Sequence, residues 1–232
     1  PEMFLQLHKP PILIDEVQYA PQLFTYIKIH ADRNQRPGDF WMTGSQSFKL
    51  MKLAGESLVG RACILHMCTM SQNELYGNGE NLPFTLNQDT LQMRIAARTP
   101  ADTPAIYERI FRGSMPALTS GHVSNRNLFY SSYLQTYIER DIRELDGDIE
   151  SVEFLRFIAV ACRTGQMVNY ADIGNDMGGM RSEKVQEWLG LLEKSDIIFY
   201  LHPYSNNLLK RTVSKPKLYF YDTGLVAYLT RW

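Results

Sequence analysis

Two acidic residues, Asp15 and Glu16, directly follow a short apolar run, Pro11-Ile12-Leu13-Ile14. A continuous apolar run of this length is typical of a parallel strand that is buried on both faces. A carboxylate at the end of such a strand can hold Mg2+, and a second one beside it can orient or deprotonate an attacking water. Asp15 would take the metal role and Glu16 the water role. The acidic pair could instead simply end the strand and cap the next helix.

A second apolar run, Phe40-Trp41-Met42-Thr43, ends in the polar stretch Gly44-Ser45-Gln46. A helix is predicted between the two runs, another from Phe48 to Leu58, and a third apolar strand from Ala62 to Met67. Strands that alternate with helices imply right-handed crossovers and a parallel sheet.

Ligands of such sheets bind beyond the carboxyl ends of the strands. Ser45 or Gln46 could then touch a terminal phosphate or the attacking water. The side chains expected to gather at this edge are those of Asp15, Glu16, Thr43, Ser45 and Gln46.

These two strand ends carry a family resemblance. The segment Pro11 to Gln18 resembles a Walker B strand, and Phe40 to Gln46 resembles the sensor 1 strand, of a prokaryotic AAA+-like ATPase family. In that family the ATPase core is followed by a domain of uncharacterised function that contains a winged-helix segment. The resemblance implies an ATP-hydrolysing parent protein with ATP and Mg2+ as cofactors. It touches nearly the whole chain through further segments, Leu58 to Arg61, Phe111 to Pro116, Tyr137 to Ile142 and Lys215 to Leu225.

The phosphate-binding loop of such ATPases is missing from the sequence. It requires Gly-x-x-x-x-Gly-Lys-Ser/Thr, because glycine amides wrap the phosphates, lysine neutralises them and the hydroxyl ligates Mg2+. The segment Gly55 to Ala62 mimics the spacing, but Arg61 replaces the lysine and Ala62 has no hydroxyl. In the family the loop lies upstream of the Walker B strand. We therefore expect an N-terminally truncated chain that does not hydrolyse ATP by itself.

Arg61 has two open interpretations. By resemblance it could reach a phosphate, in its own subunit or across a subunit interface in a self-associated protein, since a fixed guanidinium stabilises charge in phosphoryl transfer. It could also be a surface or structural arginine.

The rest of the chain reads as a connector and a second folded region. Residues Tyr76 to Pro104 are mixed with glycine and proline and predict a loop-rich connection. Beyond it, helices are predicted at 105–111, 128–145, 152–162, 170–177 and 182–194, and strands at 197–201 and 218–221. Helices followed by a two-strand hairpin give the order of a winged helix, and the family resemblance agrees.

The predicted fold is thus α/β: a partial P-loop NTPase-type parallel sheet with helices in residues 1–80, a loop-rich and helical connector in 81–147, and a winged-helix (α+β) domain in 148–232. The competing interpretation is a non-catalytic DNA-binding or protein-interaction module. Basic side chains could contact DNA phosphates, although Glu183, Glu187 and Glu193 share a helix with two of them. The basic candidates are Arg181, Lys184, Lys210, Arg211, Lys215 and Lys217.

Composition restricts the binding partners and the cellular compartment that are expected for this protein. Lys and Arg total 24 against 25 for Asp and Glu, so the net charge of -1 favours neither nucleic acid nor membranes globally. No run approaches the ~18 apolar residues of a membrane span. Three cysteines cannot complete a disulfide framework, so a soluble cytoplasmic protein is expected. Cys63, His66 and Cys68 lie close together, but without a second ligand pair we interpret these cysteines as core residues.

Overall fold

The structure is a computed structural model. It describes residues 1–45, 50, 53–55, 57–77, 85, 87–97, 100–137, 150–164, 167–204, 206 and 215–232. The described chain divides into two compact units: Pro1–Met67 with Leu191–Asp196, and Cys68–Gly190 with Ile197–Trp232.

The first unit contains a two-stranded parallel sheet. Strand β1, Ile12–Ile14, pairs with strand β2, Phe40–Met42, so that Ile14 lies opposite Met42. Helix Gln22–Asn34 connects the two strands, as a parallel pair requires. A helix at Glu2–Leu7 precedes β1, and a 3-10 turn at Val17–Tyr19 follows it. The predicted strand, helix and strand are therefore confirmed.

Only one face of this sheet is covered by described residues. The core beneath it consists of five buried apolar side chains, Val17, Leu23, Phe24, Ile27 and Leu58. On the opposite face, Leu13 is 70% exposed and Trp41 is 57% exposed. The prediction of burial on both faces is thus wrong for the described chain, because the apolar run showed that both faces are hydrophobic but not that both are packed.

The predicted third strand does not form. Residues 62–67, all of them described, have no regular structure, and Leu65 and Met67 are 75% and 97% exposed. A strand needs a neighbouring backbone to pair with, and β1 and β2 pair only with each other among the described residues. Of the predicted helix at 48–58, the described residues 50, 53–55 and 57 are helical; positions 48, 49, 51, 52 and 56 lie outside the described residues.

The remainder of the described chain is mainly helical. Helix Thr103–Arg112 confirms the prediction at 105–111, and Arg126–Tyr137 confirms the first part of the prediction at 128–145. Residues 138–149 lie outside the described residues. Helix Gln88–Ala97 occupies the stretch that was predicted to be loop-rich. Its large apolar residues, Leu91, Met93 and Ile95, recur at every second position, so the sequence offered no clear helical stripe from which to predict it. Two single-turn helices lie at Gln72–Leu75 and Pro116–Thr119.

The C-terminal elements follow the predicted order. Helices Ser151–Thr164, Tyr170–Asp176 and Ser182–Lys194 are followed by the antiparallel strands β3, Ile198–Leu201, and β4, Lys217–Phe220, and by helix Thr223–Leu229. Asn169 caps the second of these helices by accepting a hydrogen bond from the Ala171 backbone N–H at 3.2 Å.

An aromatic cluster forms the centre of the second unit. The ring of Trp188 lies 5.1 Å from the rings of both Phe154 and Phe157, and all three side chains are buried. Edge-to-face contacts of this kind add to the free energy gained by burial. No helix in the described part of the chain has the length and apolar character that crossing a membrane requires.

Candidate functional site

The strand register brings the two predicted strand ends together. Beyond the Ile14–Met42 pair, the Thr43 N–H donates to the Ile14 carbonyl at 2.9 Å. The Val17 N–H donates to the Thr43 carbonyl at 3.1 Å. Backbone pairing thus continues past both strands and holds the Asp15-Glu16 peptide beside Thr43.

Asp15 is an exposed carboxylate with one hydroxyl partner. The Thr43 hydroxyl donates a hydrogen bond to its Oδ1 atom. No other described side chain bonds to its second oxygen. Magnesium sites in nucleotide enzymes often use one or two protein carboxylates together with substrate phosphates and water. The donor set and exposure of Asp15 therefore fit such a site.

Glu16 is held more tightly than Asp15. Its Oε2 atom accepts hydrogen bonds from the Gln18 side-chain amide, the Ser45 N–H at 3.2 Å and the Ser45 hydroxyl at 3.3 Å. The Gln18 bond, and then the two Ser45 bonds, lower the pKa of Glu16 below 4.5 against an opposing effect of burial. Glu16 is therefore ionised at neutral pH.

The backbone of Glu16 adopts a conformation that non-glycine residues seldom use. Its φ and ψ are 50° and 45°, in the left-handed region. Such conformations persist where surrounding structure imposes them, and they concentrate at functional sites. Here the turn from β1 into Val17–Tyr19 imposes it, and it directs the carboxylate toward Ser45.

Gln18 was missed by the sequence analysis. It is 1% exposed, and its Oε1 atom has no hydrogen-bond partner among the described residues. A Cβ atom at Gly44 would collide with this Oε1 atom and with the Leu50 side chain. A side chain at position 44 would therefore require the ends of the Gln18 and Leu50 side chains to move. No pattern in the sequence marks Gln18, because its contact with Glu16 depends on the left-handed turn at Glu16.

Arg61 pairs with an acid outside the strand-end residues. Its guanidinium donates to both carboxylate oxygens of Asp32, the NH2 contact being 3.3 Å, and to the Val59 carbonyl at 3.0 Å. The pKa of Asp32 is lowered by the hydrogen bond from Arg61. The structure thus brings together Asp15, Glu16, Thr43 and Ser45, while Arg61 bonds to Asp32. Gln46 lies outside the described residues.

The basic candidates of the C-terminal region are exposed where they are described. Arg181, Lys215 and Lys217 are open to solvent. Lys184 lies 3.9 Å from the Glu153 carboxylate, and its ammonium group sits 4.7 Å from the Trp188 ring centre. Lys184 is therefore already partly neutralised. Two of the six predicted candidates, Lys210 and Arg211, lie outside the described residues.

The interpretation of Cys63 and Cys68 as core residues is wrong. Both are exposed, and residues 62–67, which were predicted to form a strand, have no regular structure. His66 lies 3.8 Å from Asp196. In the described part of the chain, no group of three or more His, Cys, Asp or Glu side chains could hold a metal ion.

A second polar cluster, which we name the Asp222 cluster, was not predicted as a unit. Asp222 is 2% exposed and accepts hydrogen bonds from the Ser114 N–H at 2.7 Å, the Tyr130 hydroxyl at 2.7 Å and the Leu225 N–H at 2.6 Å. Burial and the neighbouring Asp222 carboxylate raise the pKa of Tyr130. The Arg126 guanidinium closes the cluster by donating to the Phe111 and Gly224 carbonyls. This cluster joins segments more than a hundred residues apart in the sequence.

Two protein-family models match separate parts of the chain. Residues 1–76 match the model of the AAA domain, and residues 103–232 match the model of a domain of unknown function, DUF8612. The AAA match is consistent with nucleotide binding by the first part.

Two relatives are uncharacterized proteins of Mycobacterium bovis and Mycobacterium tuberculosis, each 26% identical over 216 residues. The match covers 93% of this chain and 43% of each relative, so the chain spans less than half the length of these proteins. No solved structure gives a significant match. Because the second family model covers more than half of the chain, the chain belongs to the family defined by the domain of unknown function DUF8612.

Proposed function

We propose that the strand ends of the first unit form the hydrolytic edge of an Mg2+-dependent ATPase, with Asp15 as the metal carboxylate and Glu16 as the residue that positions water. The observation that carries the proposal is the continued pairing of β1 and β2, which sets both carboxylates beside Thr43 and Ser45. The AAA domain match over residues 1–76 supports it.

Asp15 suits the metal role because it is exposed and, among the described residues, only Thr43 bonds to its carboxylate. When bound, Mg2+ would neutralise phosphate charge at this edge. Thr43 fixes the rotation of the carboxylate, so that its second oxygen remains available. We assign Thr43 to orienting Asp15 within the nucleotide site.

Glu16 suits a positioning role more than strong proton abstraction. Three hydrogen bonds converge on its Oε2 atom and lower its pKa, which makes the carboxylate a weaker base. An ionised carboxylate held in this way can still accept a hydrogen bond from water through Oε1 and align it for attack. Ser45 would act at the site by holding Glu16, and Gln46 remains a proposed phosphate or water contact.

Hydrolysis needs a phosphate-binding loop, and the 232 residues contain none. We therefore propose that the activity belongs to a longer protein in which this segment provides the metal and water side of the site. Arg61 would serve a phosphate, in the same or a neighbouring subunit, only after leaving Asp32.

The test is ATP hydrolysis with Mg2+ by the 232-residue chain and by a longer version with natural upstream residues. We expect activity in the longer version, and a loss of about 100-fold or more on Glu16→Gln. Glu2→Gln, an exposed acid outside the site, is the matched control. A longer version without activity, or one unaffected by Glu16→Gln, would contradict the proposal.

The alternative function is a non-catalytic winged-helix module in residues 148–232 that binds DNA or another protein. Its support is the order of three helices and the β3–β4 hairpin, with Lys215 and Lys217 exposed at the start of β4. Salt-sensitive binding to duplex DNA that is lost on combined Lys210→Ala and Arg211→Ala substitution would favour it. If that variant bound duplex DNA as well as the unsubstituted protein does, the proposed contact of Lys210 and Arg211 with DNA would be excluded.

A further inference from the structure

A cavity of about 460 Å³ lies within the second unit. Its walls come from residues 68–72, from helix Thr103–Arg112 with the turn that follows it, and from residues 221 and 223. The volume falls within the ~300–1,000 Å³ typical of small-molecule sites. None of its lining residues belongs to the strand-end site.

The cavity lining carries a positive charge, and the buried Asp222 carboxylate lies behind it, bonded to the Ser114 N–H. Arg109 is the charged side chain among the described lining residues, and none of them is acidic. Its guanidinium lies 4.4 Å from the ring centre of Tyr76, which holds the cation in place without neutralising it. No described carboxylate lies within ion-pair distance of Arg109. Among the described residues, the Arg109 guanidinium at the cavity wall therefore has no ion-pair partner.

Two polar side chains in the lining, those of Gln72 and Thr223, have hydrogen-bonding groups that no described residue uses. The hydroxyls of Thr69 and Ser114 already donate, to the Tyr221 carbonyl and to Asp222 respectively. The side chains of Gln72 and Thr223, in contrast, make no hydrogen bond to any described residue. Both can donate to a negatively charged group, as Arg109 can.

The wall also has an apolar side. Ile106 and Ile110 lie one turn apart on the helix that carries Arg109, and they remain 46% and 36% exposed. Met70 lines the same cavity and is fixed by a contact of its sulfur with the Thr119 hydroxyl at 2.9 Å. Covering this apolar surface would be favourable for a ligand.

We propose that this cavity binds a small organic anion with an apolar body. The anionic group is bound by Arg109, with hydrogen bonds from Gln72 and Thr223, and the body packs on Met70, Ile106 and Ile110. This assignment is independent of the proposed ATPase function, because it uses only residues of the second unit.

Cys68 provides a direct reporter, since it lines the cavity and is exposed. The other exposed thiol is removed by Cys63→Ser, and burial raises the pKa of Cys162 to about 12, so that thiol stays protonated at neutral pH. The measurement is the rate of Cys68 alkylation with phenyl phosphate as probe. Inorganic phosphate and benzyl alcohol represent the charge and the apolar body separately.

We expect saturating phenyl phosphate to slow Cys68 alkylation by about fivefold or more, because occupancy shields the thiol. Inorganic phosphate and benzyl alcohol should each protect less at the same concentration. Arg109→Gln should abolish the protection and Gln72→Ala should weaken it. Arg156→Gln, an exposed arginine elsewhere in the unit, should preserve it.

Thermal unfolding of each variant without ligand shows whether it is folded. A folded Arg109→Gln protein that is protected as well as the unsubstituted protein would overturn the proposal. Protection by phenyl phosphate no greater than that by benzyl alcohol would also overturn it, because the anionic group would then contribute nothing.

Discussion

The strand-end site and the Asp222 cluster use similar groups in opposite settings. Asp15 is an exposed carboxylate with one hydroxyl donor, whereas Asp222 is 2% exposed and accepts hydrogen bonds from two backbone N–H groups and two side-chain hydroxyls. An exposed, incompletely bonded carboxylate is free to bind a ligand. A buried and saturated one stabilises the fold. The difference shows that chemical type does not separate function from stability, whereas burial and unused hydrogen-bonding capacity do.

The largest expected effect comes from removing the two carboxylates in turn. Asp222→Ala should lower the free energy of unfolding by about 3–5 kcal/mol, because several buried donors lose their acceptor. Asp15→Ala, the matched change at an exposed position, should cost about 0.5 kcal/mol or less. Urea denaturation of both variants measures this contrast. Equal losses would remove the distinction drawn between the two sites.

Two helical glycines test how tightly the Asp222 cluster is packed. A Cβ atom at Gly224 would lie 2.6 Å from the Arg112 carbonyl and would collide with the Tyr130 hydroxyl, so Gly224→Ala should destabilise the protein by about 1–3 kcal/mol. Gly190 has open space around the same position, and Gly190→Ala should stabilise the protein by up to about 1 kcal/mol. A thermal melt of each variant gives the signs. A neutral Gly224→Ala would show that the Asp222 cluster is loosely packed.

Tyr130→Phe removes one donor to Asp222 and should cost about 1–2 kcal/mol. It should also change the response to alkaline pH. The pKa of Tyr130 is raised above 10.0 in the folded protein, so its contribution to stability is complete below pH 10 and is lost as the pH rises toward the folded-state value. Denaturation at pH 9 and at pH 11 should show a decline that is smaller in Tyr130→Phe. The same decline in both proteins would contradict the assignment.

Glu16→Gln should have a stability effect as small as that of Asp15→Ala. The pH dependence of the Glu16 contribution should be opposite to that of Tyr130. Its lowered pKa means that its contribution is present above about pH 4.5 and is lost as the pH falls through the folded-state value. Because solvent screens these groups, Glu16→Gln should change the free energy of unfolding by about 0.5 kcal/mol or less. Comparison with Glu2→Gln at pH 7 and pH 4 isolates the effect. A loss of several kcal/mol would make Glu16 a structural residue.

Sequence patterns predicted the local elements well and the long-range surroundings poorly. The strands around Ile14 and Met42, and the helix capped by Asn169, follow from short apolar periods and capping chemistry. Residues 62–67 show the limit, because an apolar run predicts a strand only where a neighbouring strand is available. The wrong interpretation of Cys63 and Cys68 as core residues has the same cause.

The residues of the two sites also differ in whether the sequence could predict that they lie together. Asp15, Glu16, Thr43 and Ser45 could be grouped because parallel strands end at a common edge. Gln18 reaches Glu16 through a turn conformation that local pattern does not encode. The Asp222 cluster depends on contacts over long sequence separations. Asp222 lies 92 residues from Tyr130 and 108 residues from Ser114, and a single sequence holds no periodic signal for such contacts.

The most direct test of the hydrolytic role is a single-turnover experiment on the longer version of the chain, with ATP binding and phosphate release followed separately. We expect Glu16→Gln to bind ATP within about threefold of the unsubstituted protein and to release phosphate about 100-fold more slowly or worse, because positioning of water affects the chemical step. Phosphate release by Glu16→Gln at the unsubstituted rate would show that Glu16 has no hydrolytic role.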